Sequence, residues 1–506
     1  MRLFRIYPLL TALLLSICSL QAQVWEITRF GAKGDGVIDN TAFIQQAVDS
    51  CHLHGGKVVI PPGKFLSGTI ILKSFVILHI SAGAILMAHT DLRKYPTLSA
   101  GIPFYGEDWA QQALLFASNA EQITLEGTGV IDGQGASFPV ITDKKPDRYR
   151  NRPYLIWMAG CRHISVTGIT LQNSAFWMQH FLGCEYLRLD GLNIWNHSNR
   201  NNDMMDIDGC RYVTISNITG DSDDDGITLK STSPLPAEHI TITNCILSSH
   251  CNALKFGTES TGGFRNVTIS NCIIKPSRKT TTIYGKPAGI SGVSLEVVDG
   301  GLMQNISISD LVIEGVEVPL FVRLGNRGRK FRDTAATPPV GAIQNVHFSN
   351  ITATGAGETG CSIVGIPGSP VNGLTLSNIR ISMCGGGTTA DALQWPEEKE
   401  KDYPEGTMFG KLPAAGFFIR HAAGITISGL SVTTSQADQR SMLVLDDVQD
   451  WRIEAVYGMQ PVGQPLINII SGRNGVVNNN LMAIGAKEFI GISKEAKNIT
   501  YISNRK

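Results

Sequence analysis

The phrase VTISN at 213–217, followed by ITITN at 240–244 and VTISN again at 267–271, decides the architecture. In each phrase the first and third residues are apolar and the second and fourth carry hydroxyls. Val213 and Ile215 therefore face one side of a strand, and Thr214 and Ser216 the other. The pattern recurs upstream as ITLEG at 123, ISVTG at 164 and LRLDG at 187, and downstream as ISISD at 306, VHFSN at 346, LTLSN at 374 and ITISG at 425. Between Leu187 and Val267 successive starts lie 26 or 27 residues apart, whereas gaps of about 40 or 50 elsewhere imply inserted loops. A repeat of that length holds about three strands and cannot bury its apolar face alone, so repeats stack, each strand pairing in parallel with its equivalent one coil later at about 4.8 Å. The closing Asn tolerates a left-handed turn and can hydrogen-bond to the Asn of the next coil. The expected class is all-β, a single-stranded right-handed parallel β-helix. A propeller would need longer repeats, and a sandwich more two-residue hairpin turns.

Working outward, GDGVIDNTAFIQQAVDSC at 34–51 offers Asn40 or Thr41 as N-cap to a helix with Phe43, Ile44, Ala47 and Val48 on one face, a cap for the raw end of the solenoid. The first residues combine Arg2 and Arg5, an apolar run from Leu9 to Leu15 and small or polar residues to Ala22. They read as a signal peptide over 1–22, with a β-helix catalytic domain over 23–506 and a secreted or periplasmic destination. Ile17 before Cys18 is bulkier than a lipid-attachment site takes, which argues against lipoprotein anchoring. No other apolar stretch reaches the roughly 20 residues of a membrane span. The 43 basic and 43 acidic residues balance without long runs of either sign, so nucleic acid and anionic membranes are not expected partners. Nine cysteines follow the leader without paired zinc-type spacing, and most read as buried core thiols. Segments 96–114, 134–154, 275–288, 326–339 and 384–415 break the coil spacing. They carry Tyr105, Trp109, Tyr149, Tyr154, Tyr284 and Trp395, as loops walling a sugar-binding cleft would.

Seven acids crowd two successive coils, NNDMMDID at 201–208 and DSDDDGITLKS at 221–231. Met205 and Ile207, then Ile227 and Leu229, alternate as core residues, which places Asp206, Asp208, Thr228 and Lys230 on the outer face. Asp203, Asp224 and Asp225 lie just ahead of these strands. Asp203 and Asp224 are 21 residues apart, close to one coil, so they should project from neighbouring rungs into one groove. Carboxylates that close raise at least one pKa, which sets a proton-holding acid beside an ionised base, the pair glycoside hydrolysis requires. The competing reading of such a turn is a calcium loop.

The chain over at least 24–329 resembles the polygalacturonase family, glycoside hydrolase family 28, within the pectin-lyase-like β-helix superfamily. Asn201-Asn202-Asp203 stands for its NTD block, and Asp223-Asp224-Asp225 with GITLKS for its GDD block and following strand. FGAKGDG at 30–36 and GTGVIDGQG at 127–135 are also similar. The resemblance implies that Asp224 is the general acid and that Asp203 and Asp225 position and deprotonate the attacking water, with inversion at the sugar. It implies neither cofactor nor metal, and a pectic polysaccharide or oligosaccharide as partner.

Two later blocks depart from the family. SHCNALKFGTES at 249–260 puts Asn252 where the family histidine belongs, with His250 two residues early. GVSLEVV at 292–298 puts Ser294 and Glu296 where a basic pair would grip a uronate carboxylate. Arg323 and Arg327 of FVRLGNRGR, or Lys255, become candidates for that task, and Asn201, His250, Asn252, Lys255 and Glu296 join them as expected substrate-binding residues. The altered subsites and long loops favour an exo-acting galacturonide or rhamnogalacturonan hydrolase over plain endo-cleavage of polygalacturonate. The alternatives are calcium-dependent β-elimination of the pectate lyase type and a non-catalytic carbohydrate-binding β-helix.

Overall fold

In the computed structural model the repeated phrases lie one above another, residue for residue. Ile123, Ile164, Leu187, Val213, Ile240, Val267, Ile306, Val346 and Leu374 form one continuous column of parallel partners. The structure describes residues 23–459, 461–480 and 489–502. The leader read over 1–22 lies outside them. One coil shows the unit: Arg211–Ser216, Thr219–Ser222 and Ile227–Ser231 are three strands joined by turns. Each pairs in parallel with its counterpart in the next coil, Ala237–Thr243, Ile246–Ser249 and Asn252–Ser260. The result is a right-handed parallel β-helix, the hand expected of parallel crossovers. Val213 and Ile215 are buried in the coil interior while Thr214 is exposed.

Stacking demands the same turn at every level, which is why the phrase ends as it does. Asn217, Asn244, Asn271, Asn350 and Asn378 all sit near φ +55°, and Asp310 takes their place in one coil. The Asn378 amide donates to the Asn350 carbonyl oxygen at 2.8 Å, and Asn350 donates to Asp310 at 3.2 Å. A second ladder, not expected from the phrase, runs through Asn266, Asn305 and Asn345 at the opposite end of the same strands. Eight of the nine cysteines are buried, and none of the nine is paired with another.

Helix Thr41–His54 turns Ile44, Ala47, Val48 and Cys51 into the core at the N-terminal end. The Asn40 side chain does not cap it but bonds the Lys33 amide, and Asp39 accepts from the Thr41 amide instead.

The site-bearing face departs from the half-exposed pattern of the other strands. Every residue of Met205–Asp208, Ile227–Ser231, Ser291–Val297 and Val318–Leu324 is buried. Asp206, Asp208, Thr228 and Lys230 do point out of the coil, but the inserted loops cover them. The outer face of these strands is the base of a chamber rather than a solvent surface.

Candidate active site

The turn entering Met205–Asp208 is built by Asn202, whose side chain accepts from the Ser198 and Asn199 amides and donates to the Ser174 carbonyl. The Asp203 carbonyl accepts from the Asn196 amide group and from the Met178 backbone. The Met204 amide donates to the Asp225 carbonyl one coil on, at 2.9 Å. Asp203 and Asp225 thus belong to adjacent rungs, as the one-coil spacing requires. The hydroxyls of Ser222 and Ser249 hold the Asp224 carbonyl at 3.0 and 2.6 Å, and Asn201 reaches the Asp224 carboxylate at 3.5 Å.

Asp203, Asp224 and Asp225 line a cavity of about 300 Å³. Four of the five segments that break the coil spacing supply other walls: Lys145, Arg148 and Tyr149; Tyr284; Arg329; Tyr403 and Glu405. The fifth acts from behind, where Tyr105 packs 3.7 Å from the Arg329 guanidinium and Trp109 stacks on Tyr149 at 4.5 Å. Among the loop aromatics, Tyr149 and Tyr284 reach the cavity. Tyr105, Trp109 and Tyr154 form an anchoring cluster, and Trp395 packs on Phe418.

The charges separate into distinct states. Burial and the neighbouring Asp225 push Asp224 up to about 6. Burial, Asp206 and Asp224 push Asp203 well above the carboxylate range. Asp225 is differently placed: Lys255 stands 2.9 Å from one oxygen, and the Asn252 side chain donates to the other at 2.7 Å. Burial works against a charge on Lys255, yet Asp225 and Glu296 hold it well above the ordinary lysine range. Lys230 sits 3.4 Å from Asp206, 3.5 Å from Glu259 and 3.8 Å from Asp203, with the Trp177 ring 4.5 Å away. Burial and Asp225 raise Glu405 to about 7, so this carboxyl too holds a proton near neutrality.

The structure brings only part of the expected binding set to the cavity. Asn201 lines it, while Asn252 and Lys255 stand behind Asp225. Glu296 lies deeper, 3.8 Å from Lys255, accepting from Ser294 and raised to about 8 by burial. His250 faces away, its ring nitrogens directed at Asp223 and the Lys279 carbonyl. Arg323 is not a cavity residue: it is 1% exposed, and its guanidinium donates to the Gly365 and Glu398 carbonyls and lies over Phe409. Arg327 is spent on Asp299 and Thr258. Of the cavity residues the sequence reading missed, Lys145, Arg148, Arg329, Tyr403 and Glu405 sit in insertions without coil periodicity, whereas Trp177 stands one rung before Asp203 and Glu259 lies in strand Asn252–Ser260, where coil spacing could have found them.

Asp223, standing where the family glycine belongs, explains His250. It accepts from that ring and from the Ile283 and Tyr284 amides, so it pins the loop that carries Tyr284 into the cavity. That loop passes so close to the coil that a Cβ on Gly285, at φ +62°, would meet the His250 carbonyl at 1.8 Å. His197, Asp223 and His250 approach one another closely enough to suggest metal ligation, as do Asp224, Asp225 and Cys251. The first group is tied into loop anchoring, and in the second the Lys255 ammonium already supplies the counter-charge.

Comparison with known proteins gives the same answer. A probable polygalacturonase of Vitis vinifera is 25% identical over 399 residues, 74% of this chain and 77% of that one. In fold, a family 28 exopolygalacturonase of Yersinia enterocolitica superposes with a TM-score of 0.61 at 17% identity, over 95% of this chain and 78% of that one. A hyperthermoactive exopolygalacturonase of Thermotoga maritima gives 0.60 at 23% identity, over 71% and 87%. The profile of glycosyl hydrolases family 28 matches residues 56–399, more than half of the sequence. The chain belongs to that family and is a glycoside hydrolase.

Proposed function

We propose that this protein hydrolyses pectic galacturonides with inversion, releasing sugar from a chain end. The observation that carries this is the division of labour among three carboxyls on adjacent rungs. Asp224 is raised to about 6 and can hold a proton, while Asp225 is paired with Lys255 and Asn252 as an ionised group would be. In this reading Asp224 gives its proton to the glycosidic oxygen as the bond to the anomeric carbon breaks. A water held by Asp203 and Asp225 attacks the opposite face and yields its proton to Asp225. Lys255 and Asn252 hold the Asp225 carboxylate in place, and Asn201 orients Asp224. The pectic substrate is supported by the similarity to a probable polygalacturonase. Exo action is supported by loops that converge from four segments onto one pocket rather than flanking an open cleft. Export through the 1–22 leader would bring the enzyme to such a polymer.

Digestion of polygalacturonate, rhamnogalacturonan and short galacturonides, with and without chelator, tests this. Saturated monomers or dimers that form in chelator, with the anomeric configuration inverted in early NMR spectra, are expected. Unsaturated products that require calcium would replace it with β-elimination. Tight sugar binding without turnover would replace it with a carbohydrate-binding role.

A further inference from the structure

We propose that Lys145 and Arg148 form the subsite that reads the carboxylate of the uronic sugar seated against Asp224, a task for which the chain lacks the basic pair at 294 and 296. The inference rests on the galacturonide reading and names the residues that would enforce it.

Four cations line the cavity, and two of them are accounted for. Lys230 is surrounded by Asp203, Asp206 and Glu259. Arg329 is paired with Glu259 and Asp299. Lys145 and Arg148, from the 134–154 insertion, have no carboxylate within ion-pair distance among the described residues. They are held by aromatic faces instead. The Arg148 guanidinium lies 5.1 Å from the Tyr149 ring and 5.9 Å from Tyr284; the Lys145 ammonium lies 5.3 Å from Tyr403 and 6.0 Å from Tyr149. Ring faces fix a cation in place without neutralising it. The Arg148 Nε is moreover buried with no hydrogen-bond acceptor.

Two adjacent unneutralised cations repel each other, and partial burial together with Arg148 already draws Lys145 down to about 8. An anion placed between them removes that repulsion and supplies the missing acceptor. The planar Arg fork suits two carboxylate oxygens, and a lysine adds a point charge. Asp203, Asp224 and Asp225 would reject such an anion, so the sugar is oriented: carboxylate toward 145 and 148, glycosidic oxygen toward Asp224. Tyr149, Tyr284 and Tyr403 border the same space and keep the two cations in place there. The positions proposed from sequence for this role cannot serve, since Arg323 and Arg327 are committed to protein acceptors and Lys255 to Asp225 and Glu296.

The test compares digalacturonate with its carboxyl-reduced, neutral counterpart in the wild type, Lys145→Gln, Arg148→Gln, Arg148→Lys and the double variant. Each Gln substitution should raise KM for the acidic substrate about ten- to hundredfold, the worth of a hydrogen bond to a charged group, with kcat nearly unchanged. The neutral substrate should be almost unaffected, and Arg148→Lys should recover part of the loss. Lys145 lies on an exposed stretch, so its variant should fold normally. Calorimetric titration with galacturonate and galactose reads the subsite without turnover: the wild type should prefer galacturonate and the double variant should not. Equal losses on acidic and neutral sugars, or a preference that survives the double substitution, overturns the assignment while leaving the hydrolase reading intact. A wild type that prefers galacturonate yet hydrolyses neither substrate overturns the hydrolase reading while leaving the subsite intact.

Discussion

Replacing Asp224 by Asn should abolish turnover and at the same time stabilise the fold at neutral pH. Asp224 has an ordinary value of 3.8 and is raised to about 6 by burial and by Asp225. The folded protein therefore holds this proton more tightly than the unfolded chain does. The stability it contributes is full below about 3.8 and is lost as pH climbs through about 6. At pH 7 the carboxyl is mostly ionised, and the native state bears the cost of a charge beside Asp225. The rise is worth about 3 kcal/mol at 1.36 kcal/mol per pH unit. Because the side chain keeps some contact with the cavity, about 1–2 kcal/mol is the expected measurable part. Asn has the shape of the protonated acid and keeps an oxygen to accept from the Asp225 amide, as Asp224 does at 3.0 Å. Paired denaturant titrations of wild type and Asp224→Asn should thus show the variant more stable at pH 7 and the two nearly equal at pH 4. Hydrolysis by the variant should fall by several orders of magnitude, with galacturonate binding retained. A variant that is less stable than wild type at pH 7, or that retains wild-type turnover, would refute the picture of Asp224 as a strained proton donor.

The pH profile of kcat/KM should fall as pH rises through about 6, because the acid form of Asp224 is the active one; a rate that rises through that range would move the acid role elsewhere. Lys230→Ala should cost about 1–3 kcal/mol in denaturant unfolding, since it removes the cation that the buried Asp206 and Asp203 face while Glu259 keeps Arg329, and a neutral result would show that neither acid relies on Lys230. Asn202→Ala should cost about 1–3 kcal/mol through its orphaned buried partners, with a larger fall in kcat than in binding because the turn that aims Asp203 loosens. Unchanged kcat in that variant would show that Asp203 is aimed by the strand alone.

What could be read from the sequence was whatever repeats once per coil. Val213, Ile240 and Val267 declare their column because a period of two and a coil length act on every rung alike, and the Asn that closes each phrase is selected by the same left-handed turn. Asp203 and Asp224 were legible as neighbours for the same reason. The coil rule would also have found His250: it stands 27 residues after Asp223, and the acid that replaces the family glycine is the one that binds it. That pairing removes His250 from the substrate and spends it on the Tyr284 loop. Lys230 follows the same rule, but the cavity's loop-borne cations do not. Lys145 meets Tyr403, which lies 258 residues further on, and Arg329 meets Tyr105, 224 residues before it. Each contact is set by how an insertion folds back over the strands, not by register. Arg323 shows the converse error: it was a candidate for the missing basic pair, but in the buried strand Val318–Leu324 its guanidinium is taken at one end by the Gly365 carbonyl of the next coil and at the other by Glu398 of the 384–415 insertion. In a β-helix enzyme the acids that break the bond are therefore written into the rungs, whereas the residues that choose the sugar belong to insertions whose path only the folded chain reveals.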